Sequence, residues 1–443
     1  MLQLLSVWKE FTSATSLDAF FLPLPEIRFL GATIIAALVI FVIVLGVIYG
    51  AGRVQNLGLD RAIALVALLS LVNPLTFNGL VFIERAPIIE LWNLAEDRLI
   101  LGGIGIGAVV LICLVLMKPR LTIRLFAIGY LAVLPYAASL TATAIWTAVS
   151  YSPGAPVTSA KHENTGTRQK IVWIMFDELD RSAVFEVPIE GFKFPALKRF
   201  AGETLAFTNA VQAGANTITA IPGMTTGRKV TSSVTLGSKE LGLVYSDAAK
   251  PVDWRRGPNV FSDLATTGAK TGLVGWYFPY CRLFSHLLDQ CRQIRVGMSR
   301  IEDEDTFFDD IWNRLLSINP LHRRIKAVKS FKGFKRHAIS MATDDGLDFV
   351  YMHFPLPHQP TLFDGTAGKF TAFNFARDGY LDNVLAVDNF FSEMRHKMKN
   401  AGSWDKSVIV LSADHGWRKP APGLNIDSRG RIPLFIKLPG AGA

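Results

Sequence analysis

Asp414-His415-Gly416 follows the apolar run Ser407-Val408-Ile409-Val410-Leu411 in this 443-residue chain. The run reads as a buried strand, so a carboxylate and an imidazole sit side by side at a strand tip. Such a pair can reach one divalent cation. A second acidic pair, Asp177-Glu178, closes another apolar run, Lys170-Ile171-Val172-Trp173-Ile174-Met175-Phe176. Two strands that deliver hard ligands to one edge imply a metal-centred catalytic site rather than a binding surface. Between them lies a Thr-rich loop, 214–228, in which Thr217 and Thr219 offer hydroxyls to such chemistry and Thr225 and Thr226 read as structural.

The elements that must position these groups alternate strand and helix. Strands are predicted at Lys170–Phe176, Thr204–Val211, Thr271–Gly275, Asp348–His353, Ser407–Leu411 and Ile432–Leu438. A short helix is predicted over Phe194–Gly202, with Pro195 in its first turn, and a long one over Ala376–Lys399. The pattern implies an α/β domain, residues 168–443, with a mostly parallel sheet between helices. Ligands in such folds gather at the carboxyl ends of the strands, where Asp177 and Asp414 fall. Residues 151–167 are rich in Pro, Gly, Ser and Thr without periodicity and read as a linker.

The first 150 residues are different in kind. Hydrophobic residues make up 50% of the chain and charged residues only 19%. Four runs with almost no charge, about 30–50, 62–83, 99–117 and 125–149, are each long enough to cross a bilayer, giving an N-terminal transmembrane helical bundle. Arg53 and Arg61 follow the first run; Lys118, Arg120 and Arg124 follow the third. Basic loops stay in the cytoplasm, so the catalytic domain is expected outside the plasma (inner) membrane. The net charge of +9 leaves +8 for residues 151–443. On an exported domain, that suits anionic lipid or a phosphorylated substrate and not nucleic acid. Arg323, Arg324, Lys326, Lys329, Lys332, Lys335 and Arg336 form a basic stretch that reads either as a solvated helix face or as a surface for anionic head groups. In an exported domain Cys281 and Cys291 would close a short loop as a disulfide; the other reading is two buried thiols.

Asp177, Asn216-Thr217, a later His-Pro segment and Asp414-His415-Gly416 occur in an order that resembles the alkaline phosphatase superfamily. The resemblance is to its sulfatase-like membrane branch, which includes phosphoethanolamine transferases and lipoteichoic acid synthases. Thr217-Ile218-Thr219-Ala220-Ile221-Pro222 fits that branch's Thr-x-x-Ser/Ala-x-Pro nucleophile loop, and Leu356-Pro357-His358-Gln359-Pro360 its Pro-His-x-Pro segment. The resemblance implies that Thr217 is both metal ligand and nucleophile, forming a phosphothreonine, with Thr219 its local rival. A free threonine hydroxyl is too weak an acid to attack phosphorus unaided, and a divalent cation lowers its pKa. Asp177, Asp414 and His415 would complete the ligand set, with Glu178 either a further ligand or an ion-paired neighbour. Asn216 would donate to a phosphoryl oxygen or cap a helix. His358 would hold the transferred group, protonate the leaving oxygen or bind a second metal. His353 is read as a buried, hydrogen-bonded residue, and Asp388 as structural.

No histidine follows Gly416, so one ion is expected, zinc or manganese, or calcium if the chain follows true sulfatases. The expected substrates are an anionic phospholipid or glycolipid donor and a glycan or lipid acceptor. Two alternatives stand beside this reading: a sulfuric ester hydrolase, and a non-catalytic glycan-binding or envelope scaffold protein. The first normally needs a Cys or Ser where this chain has Thr217.

Overall fold

The computed structural model describes residues 169–237, 240–248, 250–293, 320–373, 379–418 and 430–440, with scattered helical residues between 46 and 142. The linker 151–167 and most of the four apolar runs lie outside the described residues. Among the described residues, no helix is long and apolar enough to cross a membrane. The chain divides into two units: residues 1–13, 25–152 and 306–319, and residues 14–24, 153–305 and 320–443. Within the first, buried Asp60 pairs with Arg120 at 2.8 Å, and Arg61 Nε donates to the Leu116 carbonyl at 3.1 Å. These contacts join the segment after the first apolar run to the end of the third run and the segment after it.

The second unit carries, in chain order, β1 (Ile171–Asp177), α1 (Pro195–Gly202), β2 (Leu205–Ala206), α2 (Thr217–Thr226), β3 (Val230–Gly237), β4 (Glu240–Tyr245), β5 (Val252–Asp253), α3 (Val260–Thr266), β6 (Thr271–Gly275), α4 (Tyr280–Phe284), β7 (Gln290–Gln293), α5 (Pro320–Thr343), β8 (Phe349–Pro357), β9 (Phe363–Asp364), β10 (Lys369–Phe370), α6 (Tyr380–Asn400), β11 (Val408–Ala413) and β12 (Leu434–Lys437). Seven strands form one sheet, ordered β2-β12-β11-β1-β8-β6-β7. Its centre is parallel, with β12 and β2 antiparallel at one edge. β1 is rich in β-branched and aromatic residues because both of its faces are covered. Val172, Ile174 and Phe176 pack with Leu197 and Phe200 of α1 and Phe390 and Phe391 of α6. On the other face, Met175 packs with Ile221 of α2, Phe261 of α3 and Leu283 and Phe284 of α4.

Register sets the site. Phe176 pairs with Ala413, so the next residues, Asp177 and Asp414, stand together at the carboxyl edge. Met175 pairs with both Ser412 and His353. Side chains alternate along a strand, so Asp177, Asp414 and His353 share the face of Met175.

Two expectations need correction. Thr204–Val211 pairs in the sheet only at Leu205–Ala206, because its neighbour β12 is four residues long and lies near the edge. The Thr-rich segment is no loop: Thr217–Thr226 is helical. Asn216 caps it by accepting from the Thr219 N–H, and Gly227, at φ 66°, ends it in the left-handed conformation that glycine adopts without strain. Pro222 lies inside this helix and has no N–H to give. The Ser233 hydroxyl donates instead to the Ile218 carbonyl at 3.1 Å.

Asp388 is structural, in a way that spacing alone could not reveal. It is buried on α6, and its carboxylate accepts the Leu197 N–H at 2.8 Å and the Ala196 N–H at 3.3 Å, capping α1 from another element. Asp388→Ala should cost about 1–2 kcal/mol of stability. Urea denaturation of wild type and variant measures it.

Candidate active site

Thr217 opens α2 and points its hydroxyl at the strand tips. Oγ1 is 3.4 Å from Asp177 Oδ2 and 3.4 Å from His415 Nε2. His415 Nε2 lies 3.7 Å from Asp177 Oδ1 and 3.5 Å from Asp414 Oδ2. All four side chains are buried. His415 Nδ1 is 3.0 Å from the Gly416 carbonyl, which can only accept, so Nδ1 carries the proton and the Nε2 lone pair faces the carboxylates. Thr219 is not equivalent. Its hydroxyl is committed to Asn216, at 2.8 Å from Oδ1 and 3.2 Å from the carbonyl. Asn216 therefore acts as the cap through its oxygen, while its Nδ2 has no partner among the described residues.

Buried atoms without a hydrogen-bond partner among the described residues include three that belong to this cluster: Asp177 Oδ1, Asp414 Oδ2 and His353 Nε2. These three residues can offer ligand atoms within 4.8 Å of one another. Orphaned acceptors at this density are costly unless a cation or proton sits among them. The donor set, two carboxylates with imidazole nitrogens, fits a divalent metal.

His353 is the residue that the sequence reading placed outside the ligand set. It is hydrogen-bonded as expected, with Nδ1 2.8 Å from the Tyr280 hydroxyl, but that bond leaves Nε2 beside the two carboxylates. Burial drives its pKa down to about 3, so the ring is neutral, as a ligand must be. Tyr280 reaches it because Gly275 has no side chain: a Cβ there would lie 2.4 Å from the Tyr280 ring. A partner on the far nitrogen fixes the orientation of a ligating imidazole.

Of the two roles expected for Glu178, the structure shows the ion-paired one. Its carboxylate is ion-paired to Arg418, Oε1 to Nε at 2.8 Å. Its backbone has φ 65°, a conformation that costs a non-glycine residue free energy. That backbone is held on both sides. The Glu178 N–H donates to Asp414 Oδ1 at 3.1 Å, and its carbonyl accepts from the Tyr380 hydroxyl at 2.7 Å.

Among the described residues the His358 side chain makes no contact with the carboxylate cluster and lies beside it. Its backbone N–H donates to the Asp177 carbonyl at 3.2 Å, and its ring lies 5.7 Å from the Trp276 ring, between centroids. Nδ1 is 2.7 Å from the Gln359 carbonyl and so bears the proton of the neutral ring, leaving Nε2 as the open position. Asn383 on α6 holds this loop, donating to the carbonyls of Pro357, His358 and Pro360 and accepting from the Leu362 N–H. Spacing did not mark Asn383 or Tyr380. The only available signal was a polar residue on the apolar face of α6. Away from the site, Cys281 and Cys291 are joined as a disulfide.

A buried, mostly parallel sheet that brings two carboxylates, two imidazoles and a helix-start hydroxyl to one edge defines a metallohydrolase-like centre. The sulfatase family description matches residues 169–443, well over half of the chain. The chain belongs to the sulfatase family. Among solved structures it is similar to Ps i-CgsB, at 16% identity and TM-score 0.45 over 62% of this chain and 67% of that one. It is also similar to the lipoteichoic acid synthase LtaP from Listeria monocytogenes, at 17% identity and TM-score 0.38 over 62% and 67%. An alkaline phosphatase superfamily protein from Vibrio parahaemolyticus matches at 17% identity and TM-score 0.39 over 63% and 62%. The chain thus spans about two thirds of the length of these proteins, and such distant likeness concerns the fold alone. No curated protein matches it.

The electrostatics give a test. Burial, then the charges of Asp414 and Glu178, raise the Asp177 pKa well above the carboxylate range. Burial raises Asp414 too, against the hydrogen bonds it accepts from Thr217 and from the backbones of Glu178 and His415. A carboxyl whose folded pKa exceeds its unfolded one, about 4, keeps a proton that the unfolded chain has lost. Its stabilising contribution is complete below about pH 4 and is lost as pH rises toward the folded value. A divalent cation takes the proton's place. Metal-free protein should therefore lose Tm as pH rises from about 4, and the Tm gain on adding Zn²⁺ or Mn²⁺ should grow over the same window. Calorimetry with and without chelator measures both, and Asp414→Asn should remove the metal-dependent part.

Proposed function

We propose that this sulfatase-family chain is a metal-dependent enzyme that transfers or hydrolyses a phospho-substituent of an envelope lipid or glycan through Thr217. The observation that carries it is the placing of the Thr217 hydroxyl, at the N-terminus of α2, 3.4 Å from both Asp177 and His415. Asp177, Asp414, His415, His353 and Thr217 would hold the metal, zinc or manganese. Imidazole in the donor set favours these over calcium. When bound, the metal lowers the pKa of the threonine hydroxyl and screens the charge that builds on the transferred group.

The chain's own residues do the rest. Asp177 Oδ2 takes the Thr217 proton as Oγ1 bonds to phosphorus, and the bond from phosphorus to the leaving oxygen breaks. His358, protonated at Nε2, gives its proton to that oxygen. The helix N-terminus favours the negative charge passing through Oγ1. Water or an acceptor hydroxyl then attacks phosphorus, giving its proton to His358, as the bond from phosphorus to Thr217 Oγ1 breaks and Oγ1 takes its proton back from Asp177.

The Cys281–Cys291 disulfide supports an exported catalytic domain, since such bonds persist in oxidising compartments. The Asp60–Arg120 pair supports a topology with the first and third loops on one side. Together with the four apolar runs, they favour a multi-pass inner-membrane protein acting on the outer side. A sulfuric ester hydrolase is the second reading, favoured by the family itself. Thr217 in place of an oxidisable Cys or Ser speaks against it.

Incubation of the full chain with membrane lipid, followed by mass spectrometry, should find a phospho-adduct on the peptide carrying Thr217. Thr217→Ala should carry none and should lose turnover by about 10³-fold or more. An unmodified wild type that cleaves an aryl sulfate and no phosphate ester would move the assignment to the sulfatase reading.

A further inference from the structure

Arg418 is a cationic group at the site that neither the ligand set nor the nucleophile uses. Its Nε is spent on Glu178 at 2.8 Å, while Nη1 and Nη2 make no hydrogen bond among the described residues. The side chain is 47% exposed. The fork is thus open toward solvent on a loop that is otherwise pinned. Trp417 stacks on Tyr380 with centroids 3.9 Å apart and planes 8° apart. Its N–H donates to Asp180 Oδ2, and the Gly416 N–H donates to Gln212, both at 3.3 Å. Tyr380 in turn accepts from the Asp180 N–H and donates to the Glu178 carbonyl. Glu178 and Arg418 therefore sit on one rigid frame, each within four residues of a carboxylate of the buried pair.

We infer that Arg418, held back from the buried carboxylates by Glu178, receives the non-bridging oxygens of the tetrahedral anionic group that the site transfers. Two parallel N–H groups match that oxyanion geometry, which a lysine cannot offer. Burial lowers the Arg418 pKa, but Glu178, Asp177 and Asp414 together hold it above its ordinary value, so it stays charged. The left-handed backbone at Glu178 fits this role: it turns the carboxylate away from the metal position and toward Arg418. Arg418 is in this view a specificity-determining residue and Glu178 its positioning residue. The inference rests on the reading of the site as one that handles a phosphoryl or sulfuryl ester.

The test is a titration of the purified, Zn²⁺- or Mn²⁺-loaded full chain with inorganic phosphate, and in parallel with sulfate, followed by calorimetry. Arg418→Ala should weaken anion binding about 10- to 100-fold with metal content unchanged, and Arg418→Lys should recover only part of it. Glu178→Ala should also weaken it with metal retained, and should have no further effect in the Arg418→Ala background. Anion affinity unchanged in Arg418→Ala overturns the inference, as does a metal-loaded wild type that binds neither anion. Loss of metal in Glu178→Ala returns Glu178 to the ligand set and overturns its holding role. A wild type that takes sulfate and refuses phosphate would fail the phosphoryl reading alone, since the same Arg418 comparison is then read with sulfate.

Discussion

Two carboxylates buried side by side, Asp177 and Asp414, are the constraint on which the rest of this domain turns. Both are at most 1% exposed, at the tips of adjacent parallel strands. Taking one ion out of water costs several kcal/mol, and two like charges in contact add to it. The fold offsets part of the cost locally. Asp414 Oδ1 accepts the N–H of His415 at 2.7 Å and of Glu178 at 3.1 Å. Asp177 Oδ1 and Asp414 Oδ2 are left without a donor, and the neutral His353 Nε2 beside them adds a third lone pair. An arrangement of acceptors with no donor is stable only around a proton or a cation.

The scaffold reads as the means of holding those acceptors still. The parallel register brings Asp177, Asp414 and His353 to one face, and the helix start delivers Thr217 to the same point. Helix α6 does the rest from behind: Tyr380 ties Glu178 to Asp180, and Asn383 ties down the His358 loop. Among the described residues, the non-glycine positions with positive φ are Glu178 and Tyr277, the latter at 67°. Both residues lie just past strand ends, at the edge that carries the chemistry.

The strands and the polar residues at their tips were legible because they follow local rules. Apolar runs ending in Asp177 and in Asp414-His415 need only the strand period and the chemistry of the end residue. Thr217, rather than Thr219, followed from a motif, and the geometry explains the choice through the Asn216 cap. What was hidden is non-local. His353 and Met175 are neighbours only through pairing of β8 with β1, so no spacing in the chain shows His353 facing the carboxylates. Glu178 sits next to Asp177 in sequence, yet a positive φ turns it toward Arg418, 240 residues away. The helical state of 217–226 was masked by Pro222, which only the Ser233 hydroxyl makes tolerable. Side-chain bonds between distant elements, such as Asp388 to α1, leave no periodic trace.

The central claim is that a transition metal occupies the space among Asp177, Asp414 and the two histidines. Crystals of the metal-loaded chain, measured on both sides of the zinc and manganese absorption edges, test it most directly. The account predicts one anomalous peak about 2.0–2.2 Å from oxygens of Asp177 and Asp414 and from imidazole Nε2 atoms, with Thr217 Oγ1 in contact. An anomalous peak elsewhere, with Asp177 Oδ1 and Asp414 Oδ2 bridged by water alone, would contradict it.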